Sequence, residues 1–290
     1  MDTMPKNYLT SNQSQDEKDI KLLVLDIDGT IAGHSNTLSQ TVKEVIAAVQ
    51  AKGIKVAIAT GRMYCSALRF HQEIGSTLPL VAYQGAWIQD PKDNKIHRHL
   101  SVSTEIAHQL LEYFEESQWR SLLSVHFYIN DQLYVREITK ETENYQQRCG
   151  VKAIPVGDLR QLLENHQPTK ILALCDDSDL IQQLLANLRR RYQPTELYMT
   201  TSVATFLEAA NTHVNKGNAV RYLAEEILGL ESHNVMTIGD NFNDVEMLRY
   251  AGISVAMGDA PAEVQAIADW VAPSVELDGA AIAMAKFLLN

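Results

Sequence analysis

The 290-residue sequence predicts an α/β protein: a doubly wound parallel sheet with an α+β domain inserted into it. Three features of the sequence support this fold class. Four short apolar segments have the length and composition of buried strands, segments with helical periodicity lie between them, and the middle of the chain follows a different pattern.

The four apolar segments are continuous rather than alternating, which is typical of strands buried on both faces of a parallel sheet. They are Lys21–Asp26, Lys55–Thr60, Asn234–Asp240 and Ile253–Met257. In such sheets ligands bind beyond the carboxyl ends of the strands. The residues that end each segment or follow it are therefore the candidates for a functional site.

Two helices between these strands have recognisable ends. Ser39 is a candidate N-cap of the first helix, and Gly53 lies just past its C-terminus. The second helix starts near Lys216 and ends at Gly229. Both carry an apolar face at helical spacing, as helices that pack on a sheet require.

The middle of the chain contains strand and helix candidates in a different order, which indicates a separate α+β module. Its candidate strands are Val125–Ile129, Gln132–Val135 and Ile171–Cys175, and its candidate helices are Thr104–Ser117 and Asp179–Arg191. Residues 130–131, an Asn-Asp pair between the first two strands, predict a two-residue hairpin turn. We expect residues 1–19 to be a flexible tail, residues 20–86 and 212–290 to form the core, and residues 87–211 to form the inserted domain.

Composition and charge exclude several classes of function. The formal net charge is -11, which disfavours nucleic acid and anionic membranes as partners. No apolar run of about 18 residues is present to span a membrane. The three cysteines are odd in number and widely spaced, which predicts reduced thiols in a cytoplasmic protein. The oligomeric state is not predicted by any of these features.

The first candidate site segment is Asp26-Ile27-Asp28-Gly29-Thr30, at the end of an apolar strand. Residues i and i+2 of an extended chain face the same side, so Asp26 and Asp28 are expected to converge. Two carboxylates this close repel each other unless a cation lies between them, and their oxygens suit Mg²⁺. Alternatively, the segment is only a polar turn.

Two further segments carry groups that suit a phosphate. Thr60-Gly61-Arg62 follows a buried strand, and the Thr60 hydroxyl and the Gly61 N–H can donate to phosphate oxygens. Thr60 as a simple helix cap, and Arg62 in a surface ion pair, are the structural alternatives. Lys216 lies at a predicted helix start behind Asn215, where a cation is unfavourable unless an anion is near. An exposed lysine is the alternative there.

The last candidate segment follows the third core strand. Asp240, Asn243 and Asp244 fall within one helical turn and can share a face. Asp240 can complete a three-carboxylate metal site, Asn243 can reach a phosphate oxygen, and Asp244 can act through water. Helix capping by Asn241 and Asp244 is the alternative. Four strand ends with polar groups at one edge of a sheet favour a phosphate-plus-metal site over four unrelated structural roles.

These four segments, in this order, resemble the haloacid dehalogenase superfamily, and most closely its Cof-type phosphatases with a C2B-like cap. The resemblance rests on Asp26-Ile27-Asp28-Gly29-Thr30, Ala59-Thr60-Gly61-Arg62, Lys216-Gly217 and Gly239-Asp240-Asn241-Phe242-Asn243-Asp244. It implies a Rossmann-like core, a substrate-specifying cap in the inserted segment, and Mg²⁺ as the cofactor. One departure is Gln84-Gly85, where many relatives have Asn-Gly.

The resemblance also implies a role for each site residue. Asp26 is the expected nucleophile, and Asp28 the expected acid and base. The expected metal-binding residues are Asp26, Asp28 (through its backbone carbonyl), Asp240 and Asp244. The expected phosphate-binding groups are the N–H of Ile27, Thr60, Gly61, Lys216 and Asn243, with Arg62 as a possible substrate contact.

The function that these roles imply is Mg²⁺-dependent hydrolysis of small-molecule phosphate monoesters, with sugar phosphates first among them. Three alternatives remain open at this point. One is a specialised sugar-phosphate phosphatase or a phosphomutase, another is a receiver-like signalling domain, and the third is a sugar-phosphate sensor without catalysis. The second acid follows the first by two residues, which favours turnover over stable storage of the phosphoryl group.

Overall fold

The computed structural model describes residues 19–201 and 203–289. Apart from Asp19, the predicted N-terminal tail lies outside the described residues. The strands run β1 Leu22–Leu25, β2 Lys55–Ile58, β3 Leu80–Ala82, β4 Trp87–Gln89, β5 Ile96–His99, β6 Ser124–Ile129, β7 Gln132–Val135, β8 Ala153–Pro155, β9 Lys170–Leu174, β10 Tyr198–Thr200, β11 Phe206–Ala210, β12 Val235–Gly239, β13 Ile253–Ala256 and β14 Trp270–Val271. The α-helices run α1 Gln40–Ala51, α2 Tyr64–Glu73, α3 Thr104–Phe114, α4 Lys140–Cys149, α5 Arg160–Leu163, α6 Ser178–Arg191, α7 Lys216–Arg221, α8 Val245–Tyr250, α9 Ala262–Gln265 and α10 Gly279–Met284.

The core is a parallel sheet in the order β14-β13-β12-β1-β2. All four predicted core strands are in it, which confirms the predicted fold class. Strand β1 lies between β2 and β12, so the chain reverses its direction of winding there. The carboxyl ends of β1, β2 and β12 consequently meet at one edge. Strand β14 was not predicted, because it is only two residues long and half exposed.

The two faces of β1 are buried against different layers, as a doubly wound sheet requires. Leu23 and Leu25 belong to the apolar cluster that includes Ile46 of α1. Leu22 and Val24 belong to the cluster on the opposite face, which includes Leu223 from the π-helical turn that continues α7. Alternate residues of one strand thus face opposite layers.

The inserted segment contains a six-stranded sheet in the order β10-β11-β9-β6-β7-β8, which we call the cap sheet. Helices α3 and α6 cover one face of it, through residues such as Phe114 and Leu184. Tyr128 and Leu172 on the other face share a hydrophobic cluster with core strand β1. The cap sheet therefore lies with one face directed at the core.

A three-stranded antiparallel ribbon, β3-β4-β5, connects the two sheets. Val81 of β3 pairs with Ala59 beside β2, and Ile88 of β4 packs into the same cluster as core residues of β1. Strand β3, which precedes residues 86–87 in the sequence, and strand β4, which follows, thus both contact the core. The predicted domain boundaries at 86–87 and 211–212 stay a prediction.

Most local sequence predictions agree with the structure to within a few residues. Ser39 accepts a hydrogen bond from the N–H of Val42 and so caps α1. Residues 130 and 131 form the predicted turn between β6 and β7, both with positive φ. The predicted helix Thr104–Ser117 is too long: it ends at Phe114, its last buried apolar residue, before a polar Glu-Glu-Ser run. In the described ranges no helix is long and apolar enough to cross a membrane.

Candidate active site

The segment after β1 bends, so its two aspartates point to different partners. The carbonyl oxygen of Ile27 accepts hydrogen bonds from the N–H groups of residues 30–32, at 2.9–3.2 Å, which turns the chain immediately after Asp26. Strand β1 ends at Leu25, so Asp26 and Asp28 are not successive positions of an extended strand. Both nevertheless line one cleft, and the pKa of Asp26 is raised by burial and, to a lesser degree, by the charge of Asp28.

The turn requires a glycine at position 29. Gly29 has φ of 79°, a left-handed conformation that side chains disfavour. A Cβ atom there would also collide with the carboxylate of Asp240. The loop after β1 can thus approach the carboxylate of Asp240 because position 29 has no side chain.

Lys216 lies between two carboxylates at the bottom of the site. Its Nζ is 2.7 Å from Oδ1 of Asp26 and 2.5 Å from Oδ1 of Asp244, and its side chain is fully buried. Asn215 caps α7 by accepting from the N–H of Asn218, which fixes the start of the helix that carries the lysine. The carboxylates of Asp26 and Asp244 are thus the anions that were expected near a lysine at the start of a helix.

Asp240 and Asp244 come from the loop after β12. Oδ2 of Asp244 accepts from the N–H groups of Asp240 (2.9 Å) and Asn241 (3.1 Å), so this carboxylate closes its own loop. Oδ1 of Asp240 accepts from the hydroxyl of Thr30 at 3.0 Å. Asp244 thus makes the capping bonds that the structural alternative predicted, and it also belongs to an acidic cluster.

Asp26, Asp240 and Asp244 form a group whose ligand oxygens all lie within 4.8 Å of one another. Burial raises the pKa of Asp26 to about 7, against the lowering effect of Lys216. Burial, then the charges of Asp244 and Asp26, raise the pKa of Asp240 to about 9. Burial alone would lower the pKa of Lys216, but the two carboxylates beside it outweigh burial and raise it. One ammonium does not compensate three carboxylates, two of them buried and the third half-buried, and a divalent cation bound by oxygen fits this donor set.

Arg62 holds the carboxylate of Asp28 away from this cluster. Its Nε donates to Oδ2 of Asp28 at 2.8 Å and its Nη2 to Oδ1 at 2.7 Å, a bidentate pair. Burial by itself would raise the pKa of Asp28, but Arg62, with help from Arg148 of the cap and from Lys216, lowers it. Of the four predicted metal-binding residues, Asp28 alone has its carboxylate outside the cluster.

The loop after β2 supplies the groups expected to bind phosphate. Thr60 is buried, and its hydroxyl accepts a hydrogen bond from the N–H of Arg62 at 3.2 Å. Helix α2 starts later, with Met63 as its N-cap, so Thr60 is not a helix cap. Asn243 Nδ2 donates at 3.0 Å to Oε1 of Gln84, whose amide group occupies the space that a Cβ atom at Gly61 would take.

A cleft between the core and the cap brings most of these residues together. The predicted residues that line it are Asp26, Asp28, Thr60, Gly61, Arg62, Asp240 and Asn243. Lys216 and Asp244 lie behind Asp26 and have fully buried side chains. The side chain of Ile27 is buried as well, so any contact of that residue with a ligand would have to be made by its backbone.

The cap contributes residues to the cleft that the sequence did not identify, chiefly Tyr145, Arg148, Lys170 and Glu208. Lys170 Nζ lies 3.4 Å from Glu208 Oε2 and donates to the carbonyl oxygen of Gly61 at 3.3 Å. Both side chains are about 95% buried, with 4% and 5% of their surface exposed. A charged residue inside or at the start of an apolar strand, as in FLEAA and KILAL, is the signal that could have identified this pair.

Comparison with known proteins supports the resemblance across the whole fold. The haloacid dehalogenase-like hydrolase family matches residues 23–284. The 5-amino-6-(5-phospho-D-ribitylamino)uracil phosphatase YitU of Bacillus subtilis is 28% identical over 90% of this chain and 94% of its own. A haloacid dehalogenase-like hydrolase from Bacteroides thetaiotaomicron superposes with a TM-score of 0.81, at 23% identity over 92% of this chain and 99% of its own. The HAD subclass IIB sugar phosphatase BT4131 superposes with a TM-score of 0.77, at 23% identity over 92% and 98%.

Proposed function

Because this chain belongs to the haloacid dehalogenase-like hydrolases and is a phosphatase of that family, we propose that it hydrolyses small-molecule phosphate monoesters through a phosphorylated Asp26. The observation that carries this proposal is the position of Asp26. Its carboxylate lies at the carboxyl end of a central strand, against Lys216 and two further carboxylates, and it faces the cleft beneath the cap.

Asp26 is the nucleophile in this proposal. One of its oxygens attacks phosphorus, and the bond between phosphorus and the leaving oxygen breaks. The carboxylate must be ionised to attack, and the ammonium of Lys216 at 2.7 Å favours that form. A covalent intermediate divides one difficult displacement into two easier ones.

Asp28 transfers protons in both steps. In the first step it gives a proton to the leaving oxygen, and in the second it takes a proton from the water that attacks the phosphorylated Asp26. Asp28 lines the same cleft as Asp26, and Arg62 and Arg148 face it from the core and the cap. Its pairing with Arg62 favours the ionised form, which the second step requires.

The acidic cluster supports Mg²⁺ as the cofactor. Asp26 and Asp240 would hold the ion, with Asp244 beside them. When bound, Mg²⁺ supplies positive charge to the phosphoryl oxygens, where negative charge gathers in phosphoryl transfer. Thr60, Gly61 and the N–H of Ile27 are proposed to donate to the same oxygens.

The cap is proposed to bind the leaving group, with sugar and polyol phosphates as the preferred class. Lys170 and Glu208 present a donor and an acceptor to the cleft, a combination that suits hydroxyl groups. The names of two proteins similar to this chain, a sugar phosphatase and a phosphoribitylamino-uracil phosphatase, support the same class.

Replacing the proposed nucleophile tests this function directly. We expect Asp26→Asn to reduce phosphate release from p-nitrophenyl phosphate and from hexose phosphates by more than ~10²-fold. Wild-type activity should require Mg²⁺ and be lost in a chelator. Activity of the Asp26→Asn variant at a tenth of the wild-type rate or more would refute the assignment of the nucleophile. Far-ultraviolet circular dichroism of both proteins checks that the fold is intact.

A further inference from the structure

Asn36, between β1 and α1, contacts both of the arginines that face Asp28. Its Oδ1 accepts from Nη2 of Arg62 at 2.6 Å, and its Nδ2 donates to the backbone carbonyl oxygen of Arg148 at 3.0 Å. Arg62 binds the Asp28 carboxylate in a bidentate manner, and Nη2 of Arg148 lies 3.8 Å from the same carboxylate. One amide side chain thus joins a core arginine to a cap arginine, and both arginines face one carboxylate.

The orientation of the Asn36 amide follows from its two partners. A guanidinium group only donates hydrogen bonds, and a peptide carbonyl oxygen only accepts them. An amide turned over would direct its NH2 group at Arg62 and its oxygen at the carbonyl oxygen of Arg148, so both bonds would be lost. The chemistry of the two neighbours therefore fixes which end of the amide donates and which accepts.

The backbone of Asn36 is held by other contacts. Its φ is 54°, a left-handed conformation that asparagine adopts more readily than most residues with a side chain. Its N–H donates to the carbonyl oxygen of Gly33 at 3.0 Å, and its own carbonyl oxygen accepts from Nη2 of Arg69 at 2.8 Å. A glycine at position 36 suits this backbone, so a substitution can remove the amide alone.

The cap partner of Asn36 is the carboxyl end of α4. The last carbonyl groups of a helix have no partner within the helix and need one outside it. The Arg148 carbonyl has Asn36 as its donor, and the carbonyl of Cys149 accepts from the Ser66 hydroxyl at 2.6 Å. The helix ends directly afterwards at Gly150, whose φ is 67°. Two core side chains thus hold the end of the helix that carries Arg148 into the cleft.

From these contacts we propose that Asn36 is a positioning residue, which sets the Asp28 carboxylate for proton transfer by holding the two arginines beside it. Asn36 is not among the residues that line the cleft, so it acts without touching the substrate. This inference rests on the proposed phosphatase function, since it names a residue that orients the base of that reaction.

The second step of the proposed reaction is the one that needs this base. Water attacks phosphorus, the bond between phosphorus and the Asp26 oxygen breaks, and a proton of the water passes to Asp28. Inorganic phosphate leaves, and the carboxylate of Asp26 is free again. A base that is turned away from the water slows this step, because proton transfer depends on geometry.

Asn36→Gly is the central test, and p-nitrophenyl phosphate is the substrate that isolates the second step, since its leaving group needs no proton in the first. With Mg²⁺ present, we expect steady turnover to slow about tenfold or more. In stopped-flow measurements a burst of about one p-nitrophenol per enzyme molecule should precede this slow phase. The burst distinguishes an intact first step from general damage to the site.

Ser66→Ala is the matched control. It removes a bond to the same end of α4 and leaves both bonds of Asn36 in place. Its steady turnover should stay within about twofold of the wild-type value. Far-ultraviolet circular dichroism of both variants checks that the fold is intact.

A double variant tests whether Asn36 acts through Arg62. In the Arg62→Met background most of the loss caused by Asn36→Gly should disappear, because no guanidinium is left for the amide to hold. Unchanged turnover in Asn36→Gly, an equal loss in Ser66→Ala, or an undiminished loss in the Arg62→Met background overturns the proposal. A burst that falls in proportion to turnover overturns it as well, since both steps would then be damaged.

Turnover by the wild type and its loss in Asp26→Asn are measured in the same preparations. Failure of the Asn36 inference alone leaves those two results intact, whereas failure of the proposed function changes them.

Discussion

The pairing of Arg62 with Asp28 bears on the proton transfers that we propose for this carboxyl. The guanidinium binds Asp28 in a bidentate manner and is itself 8% exposed. In this arrangement the pKa of Asp28 is lowered although burial would raise it. A general acid needs its proton, so the pairing favours the base in the second step and opposes the acid in the first. In the proposed mechanism, Arg62 would therefore set the pH range in which Asp28 can protonate the leaving oxygen.

Arg62→Met should extend the alkaline limb of the reaction to higher pH. Without the guanidinium, the pKa of Asp28 should rise, because one close opposite charge is lost and burial still disfavours the ionised carboxylate. The alkaline limb of kcat/KM for a hexose phosphate should move to higher pH with it. With p-nitrophenyl phosphate, whose leaving group needs no proton, the limb should move little. Arg62→Lys keeps the charge without the planar fork and should give a smaller shift. An equal shift with both substrates would exclude Asp28 as the acid.

At the scale of the elements, the sequence predicted strands and turns better than it predicted where side chains point. The apolar segments that end in Asp26, Thr60 and Asp240 placed three motifs at one edge of the sheet, because parallel strands share their carboxyl edge. The bidentate pairing of Asp28 with Arg62 was not predicted, because it depends on tertiary packing between two loops.

The cap residues of the cleft were missed for a different reason. Lys170 and Glu208 lie on β9 and β11, and only the antiparallel register of those strands brings them together. Such pairing is non-local, so neither residue carries a local motif. Gln84 was noticed only as a departure from the Asn-Gly pattern, and its contact with Asn243 depends on tertiary packing.

The hairpin between β6 and β7 connects the cap to the core through Asp131. Its carboxylate accepts from the hydroxyl of Tyr83 at 2.8 Å and from the N–H of Cys65 at 2.8 Å. Asp131→Gly should suit the turn, where φ is 58°, yet lose both contacts. We therefore expect the free energy of unfolding in urea to fall by about 1–3 kcal/mol.

Asn130→Gly is the control for that prediction. Asn130 has φ of 51° in the same turn and an exposed side chain. Its replacement should change the free energy of unfolding by no more than about 0.5 kcal/mol. If the two glycine variants unfold at the same urea concentration as the wild type, the hairpin does not contribute to the contact between cap and core.

For the whole molecule, we expect the acidic cluster to make stability depend on both pH and Mg²⁺. The pKa values of Asp26 and Asp240 are raised from 3.8 to about 7 and about 9 in the folded protein. At these two carboxyls the folded state therefore binds more protons than the unfolded state, and the stability that they contribute is lost as pH rises toward their folded-state pKa values. Histidines whose pKa is lowered, such as His126 at about 3, change stability in the opposite sense, but only below their ordinary pKa of 6.5. The acidic cluster is thus best isolated between about pH 6.5 and 8.5.

In a chelator, we expect the midpoint of thermal unfolding to fall steadily from pH 6.5 to 8.5. Bound Mg²⁺ keeps its carboxylate ligands ionised and stabilises the folded state, so the midpoint should be higher and its slope with pH smaller when the ion is in excess. Asp240→Asn removes the carboxyl whose pKa is raised to about 9 and should flatten the slope in the chelator. A slope that is the same for the wild type and Asp240→Asn, with and without Mg²⁺, would mean that the three carboxylates do not hold the ion together. The site would then need another source of positive charge for the phosphoryl group.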